Sequence, residues 1–132
     1  MKKIIIALIS AFLIVFFSAP GVIAQGAGEK AEQIAVPDYS DEEVLADLIE
    51  RGERDYILVD VRTPEEYAEG YIPTAVNIPL SEIGENPPTD ERDALIILYC
   101  RSGNRSGQAQ RILEGLGYTN VHNFGGIIDW SG

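Results

Sequence analysis

Leu95-Ile96-Ile97-Leu98-Tyr99-Cys100-Arg101-Ser102-Gly103-Asn104-Arg105-Ser106 is the stretch that decides the fold. Its first five residues are apolar without a break. The run is too short for a helix and suits a parallel strand buried on both faces. Small and polar residues follow. From Ser106 to Leu116, Ala109, Ile112, Leu113 and Leu116 recur at helical spacing until Gly117 ends the pattern. A buried strand, a short loop and a helix form part of a βαβ unit, and open α/β sheets bind ligands beyond the carboxyl ends of their strands.

The residues upstream repeat the arrangement. Tyr56 to Val61 reads as a second buried strand. Thr63-Pro64-Glu65-Glu66 is a capping box with Pro at the first helical position, and its short helix ends at Gly70. Earlier, Ser40 and Glu43 read as N-cap and N3 of a helix whose apolar face is Val44, Leu45, Leu48 and Ile49, closed by Gly52. Ala75 to Ile78 is a weak strand stopped by Pro79, and Ser81 to Asp93 is turn-rich, with room for one helical turn. Asn120 to Phe124 is a last short strand, followed by a turn and a final helical turn from Gly125 to Trp130. Strands alternating with helices predict an α/β domain with a mainly parallel sheet.

The amino terminus reads differently. Met1-Lys2-Lys3 precedes an apolar run from Ile4 to Phe17, a helix break at Pro20-Gly21, and Val22-Ile23-Ala24. This is the pattern of a bacterial secretory signal peptide cut after Ala24, and the run is short for a spanning helix. Residues 25–32 read as a flexible tether and residues 33–132 as the folded domain. The predicted location is the periplasm or the cell exterior, with no stable membrane insertion after cleavage. The protein is expected to act as a monomer.

Composition narrows the chemistry. The 132 residues carry a net charge of −11, and losing Lys2 and Lys3 with the leader makes it −13. Nucleic acid is a poor partner for such a surface. One Cys and one His exclude an intrachain disulfide, a Cys-based zinc cluster and the two-His metal motifs. Yet Leu95 to Arg111 holds three Arg and no acid, which predicts a locally cationic patch for a small anion.

The loop explains how that patch would work. Gly103 permits positive φ, so backbone N–H groups can converge into an anion-binding nest. The following helix adds its positive dipole end, and Arg101 and Arg105 add full charges. Each effect favours thiolate over thiol at Cys100, and the thiolate is the nucleophile. A Cys-x5-Arg cradle would suit the four oxygens of phosphate. Cys100 to Arg105 is Cys-x4-Arg, a tighter ring better matched to a sulfur atom held on the Cys.

From about Ile34 to Trp130 the sequence resembles the rhodanese-like family. The resemblance rests on Asp60-Val61-Arg62-Thr63-Pro64-Glu65-Glu66-Tyr67, on Gly70 to Pro79, on Cys100 to Ser106, and on Gly125-Gly126-Ile127-Ile128-Asp129-Trp130. It departs at Tyr71, where the family usually has His, and at Thr74, where it usually has Gly. The resemblance implies a single rhodanese-like domain with a mainly parallel five-stranded sheet flanked by helices. It also implies a thiosulfate sulfurtransferase working through a Cys100 persulfide, with no metal or organic cofactor required. Cys100 is then the catalytic residue. Arg101, Ser102, Gly103, Asn104, Arg105 and Ser106 hold the donor and the persulfide, with Ser106 placed to bond the thiolate or cap its helix. The partners implied are a small sulfur-containing anion, thiosulfate or polysulfide, and a thiophilic acceptor such as cyanide or a thiol.

Other readings compete. One is a persulfide carrier that acts on polysulfide or a partner protein and hardly uses cyanide. Another is a non-catalytic module for anionic or thiol-bearing partners, against which the intact Cys100 argues. A phosphatase or arsenate reductase fits least, because of loop length and the lack of a second Cys. Asp60 and Arg62 sit at the active edge and read as structural support, an ion pair or loop anchor. Glu65 and Glu66 read as helix N-terminal acids, and His122 as structural.

Overall fold

The computed structural model describes residues 35–132. The predicted leader, residues 1–24, the predicted tether, residues 25–32, and the predicted start of the domain at residue 33 all lie outside the described residues. Within them the order is helix α1 (Glu42–Arg51), strand β1 (Ile57–Asp60), helix α2 (Pro64–Glu69), strand β2 (Val76–Asn77), helix α3 (Leu80–Ile83), strand β3 (Ile96–Cys100), helix α4 (Asn104–Gly115), strand β4 (Val121–Gly126), then a 3-10 turn, Ile127–Asp129. No helix among the described residues is long and apolar enough to cross a membrane.

The sheet is parallel throughout, in the order β2-β1-β3-β4. Among the described residues it has four strands, not the five expected. The segment before α1, Ala35 to Asp38, is exposed and forms no ladder; Val36 is 77% exposed and Pro37 lacks an N–H to donate.

Residue alternation along β3 sets the two cores. Ile96, Leu98 and Cys100 face one layer with Val59, Val61, Ile83, Ala109 and Leu113. Ile97 and Tyr99 face the other with Leu45, Leu48, Leu58, Ile72 and Phe124. All five β3 residues are buried, so the unbroken apolar run is what a central strand between two helical layers needs. The same parity places Cys100 on the α4 side and Asp60 on the opposite side.

Local detail corrects several expectations. The N-cap of α1 is Asp41, whose carboxylate accepts from the Glu43 N–H at 2.9 Å. Ser40 instead donates its hydroxyl and its N–H to Asp38 Oδ1, so it belongs to the preceding turn. Helix α4 starts two residues before Ser106. Its buried side is Ser106, Ala109 and Leu113, while Ile112 and Leu116 are 38% and 43% exposed. The Thr63–Glu66 capping box is formed, with Pro64 at the start of α2. Strand β4 runs on into Gly125-Gly126. A bulge lets Leu98 pair with Asn123 while Tyr99 pairs with Gly125, and the extra residue, Phe124, turns into the core. Thr74 has φ of 74°, the left-handed conformation that suits the Gly expected there, and Tyr56 Oη lies 3.0 Å from its hydroxyl.

Candidate active site

Cys100 ends β3, and the chain must reverse to start α4 four residues later, at Asn104. Gly103 makes that reversal at φ of 97° and serves as the N-cap of α4. A second glycine makes room for it. A Cβ on Gly126 would lie 2.2 Å from the Arg101 carbonyl oxygen and 2.8 Å from Ser102 Cα. The β3–β4 pairing of Cys100 with Gly126 therefore brings two backbones closer than any side chain allows. Asn123 ties the same region together, donating to the Gly103 carbonyl at 3.2 Å and accepting from the Gly125 N–H at 2.9 Å.

This folding points donors at one atom. The Gly103 N–H donates to Cys100 Sγ at 3.0 Å, and the Ser106 hydroxyl lies 3.4 Å from it. Ser106 is fully buried, and its single proton is also within reach of the Gly125 carbonyl at 3.3 Å. A thiolate is the stronger acceptor, so the proton goes to sulfur once the thiol ionises. Cys100 itself is 1% exposed. Burial pushes its thiol up. The Ser106 hydroxyl and the N–H groups of Ser106, Ser102 and Gly103 pull it down by more, and the net shift is below the ordinary value.

The cap residues show the same preference. Helix α4 has no side-chain cap and no acid in its first turn. The sulfur stands where a capping oxygen would normally stand.

The remaining loop residues divide. Arg101 and Ser102 are exposed, and the Arg101 carbonyl accepts from Ile128 N–H at 3.4 Å. Asn104 is exposed and accepts from Gln108 at 3.5 Å. Arg105 is engaged by Glu66. Its two terminal nitrogens donate to the two carboxylate oxygens at 2.7 and 3.0 Å. Arg105 holds the Glu66 carboxyl down at about 2, and Thr63 assists.

Asp60 and Arg62 are not brought into this loop. They form a buried pair on the other face, with Arg62 donating to Asp60 at 2.6 to 3.0 Å and to the Gly70 carbonyl at 2.7 Å. Tyr99, register partner of Asp60, is sealed beneath them and donates no charge; its phenol accepts from the Ile72 N–H at 3.0 Å. His122 pairs with Asn120 at 2.7 Å and stacks at a tilt on Tyr39, away from Cys100 by four residues of β3–β4 register.

Sequence reasoning missed Glu66 and Gly126 as parts of the site. Glu66 was legible only as a helix cap, since nothing local links it to a residue 39 positions on. Gly126 read as a turn residue, whereas it is the floor on which the loop lies.

A parallel α/β domain that sets a cysteine sulfur among backbone and hydroxyl donors at a strand's carboxyl end is a defined class of cysteine protein. The Rhodanese-like domain family matches residues 41–132, and the chain belongs to that family. Thiosulfate sulfurtransferase PspE of Escherichia coli strain K12 is 42% identical over 73 residues, covering 54% of this chain and 70% of PspE. The human single-domain sulfurtransferase TSTD1 superposes with a TM-score of 0.57 at 31% identity, covering 64% of this chain and 85% of that one. A structure described as a rhodanese with anions from E. coli gives a TM-score of 0.55 at 38% identity, covering 58% and 92%. These relatives support sulfurtransferase activity in general.

Proposed function

We propose that the protein moves sulfane sulfur from thiosulfate or polysulfide to cyanide or a thiol through a persulfide on Cys100. The observation that carries this reading is the pair of donors on Cys100 Sγ, the Gly103 N–H at 3.0 Å and the Ser106 hydroxyl at 3.4 Å. They favour the thiolate, which attacks the outer sulfur of thiosulfate. The new S–S bond forms as the S–S bond of thiosulfate breaks, and sulfite leaves with the electron pair. The terminal persulfide sulfur is again anionic, and the same loop N–H groups stabilise it. Cyanide then attacks that sulfur, thiocyanate leaves, and the thiolate returns. No proton or electron is left over. The E. coli rhodanese described with anions, 38% identical to this chain, supports a small anion as ligand.

Intact-mass measurement tests the reading. Thiosulfate adds about 32 Da, one sulfur, to the reduced protein and nothing to Cys100→Ala, and cyanide removes it. No gain on the reduced protein overturns the thiosulfate reading.

Export belongs to the same proposal. Residues 1–24 are a leader cleaved before Gln25, residues 25–32 a tether, and the mature protein a periplasmic or secreted monomer. Amino-terminal sequencing from an expressing bacterium is expected to begin at Gln25. A start at Met1 would contradict cleavage.

A further inference from the structure

We infer that Glu66 is a specificity-determining residue that sets how strongly the site prefers doubly charged over singly charged sulfur donors. This rests on the persulfide reading above. Arg105, second residue of α4, is the loop cation expected to meet the donor, and its charge and that of the Cys100 sulfur feel each other. Its guanidinium carries five N–H donors. Two are committed to Glu66 in a bidentate pair at 2.7 and 3.0 Å, and three remain for a ligand. The hydrogen-bonding capacity of Arg105 is therefore reduced, but its net charge is cancelled.

Glu66 is held in place from its own side. Its Oε1 accepts from the Thr63 N–H at 3.3 Å and lies 3.2 Å from the Thr63 hydroxyl. It cannot swing away without opening the α2 capping box. With a carboxyl pKa of about 2 it is charged across the neutral range. Any donor that reaches Cys100 meets the Arg105–Glu66 pair as a neutral unit. Attraction for the second charge of a dianion is left to Arg101 and to the loop N–H groups.

Glu66→Gln separates this role from a structural one. Gln also serves at N3 of a capping box, so the helix keeps its cap. Two donors supply the comparison. Thiosulfate is a dianion, and methanethiosulfonate is a monoanion of similar shape with a methyl group in place of one oxygen. Each gives one sulfane sulfur to the Cys100 thiolate; the first releases sulfite, the second methanesulfinate. Freeing the Arg105 charge should raise kcat/KM for thiosulfate relative to methanethiosulfonate by about fivefold, mainly through KM, and the gain should shrink as salt is added. An unchanged or lowered ratio, with both donors still loading sulfur on Cys100, overturns the selectivity proposal alone. Equal loss with both donors assigns Glu66 a purely structural role and also overturns it. If neither donor loads sulfur on the unsubstituted protein, the persulfide reading fails and takes the proposal with it.

Discussion

Two turns at the carboxyl edge of the sheet share one plan and reach opposite outcomes. After β1 the chain turns through Val61, Arg62 and Thr63 into α2. After β3 it turns through Arg101, Ser102 and Gly103 into α4. Each strand ends on a buried ionisable residue, Asp60 at 0% exposure and Cys100 at 1%. The first turn is closed. Asp60 is paired with Arg62, Thr63 caps α2, and Glu65 and Glu66 meet the helix dipole. The second is left uncapped. No side chain caps α4, no acid stands in its first turn, and the donors point at sulfur. One turn uses its polar groups for stability, and the other aims them at the Cys100 sulfur.

Breaking the closed turn should produce the largest effect. Arg62→Met strands a buried carboxylate and is expected to cost about 3–5 kcal/mol, read from urea unfolding. A loss within the noise of the measurement would mean that Asp60 finds water or another partner. Next comes the floor of the open turn. Gly126→Ala forces Cβ against the Arg101 carbonyl, which should cost about 1–3 kcal/mol and move Gly103 off Cys100. Stability and thiol reactivity should fall together; unchanged reactivity would show that the loop does not depend on the close approach to β4.

Smaller effects sharpen the contrast. Ser106→Ala removes a donor to the thiolate, so its pH–rate profile should move to higher pH, with about a tenfold loss at neutrality. A profile that stays in place would assign Ser106 to the Gly125 carbonyl instead. The Glu66–Arg105 pair links the two turns at a half-exposed site and is worth below about 1 kcal/mol. The Glu66 carboxyl is depressed to about 2, so this stability is present above about pH 4.5 and fades as pH falls towards 2. Acid unfolding of Arg105→Gln should lack that component. The smallest effect is the most diagnostic. Asn104→Asp puts the missing acid into the first turn of α4, and should stabilise the fold by about 0.3–1 kcal/mol while raising the Cys100 pKa and slowing its alkylation. Gains in both stability and reactivity would break the comparison.

The sequence revealed the closed turn more fully than the open one. The Thr63–Glu66 box and Pro64 are local signals, and local signals are what spacing reports. The apolar run at Leu95–Tyr99 likewise announced a strand covered on both faces. The open turn depends on distant partners. Glu66 reaches Arg105 from another helix, and Gly126 matters only because β4 lies beside β3. The start of α4 was placed late because Asn104 and Arg105 are ordinary loop residues in isolation; Gly103 at positive φ lets the helix begin before them. Ser40 and Asp41 are both good N-caps, and the turn made by Asp38 claims Ser40 first. Ile112 and Leu116 fit the helical period, yet β3 and α3 cover only the stripe through Ala109 and Leu113. A fifth strand had no segment of its own in the sequence, only the resemblance to suggest it.

The central claim is that the donors of the open turn favour the thiolate of Cys100. The rate of Cys100 alkylation by iodoacetamide, followed against pH on the reduced protein, measures that directly. The account predicts a midpoint below that of a cysteine model peptide measured in the same buffer. A midpoint at or above that of the peptide would mean that burial outweighs the loop donors, and would contradict it.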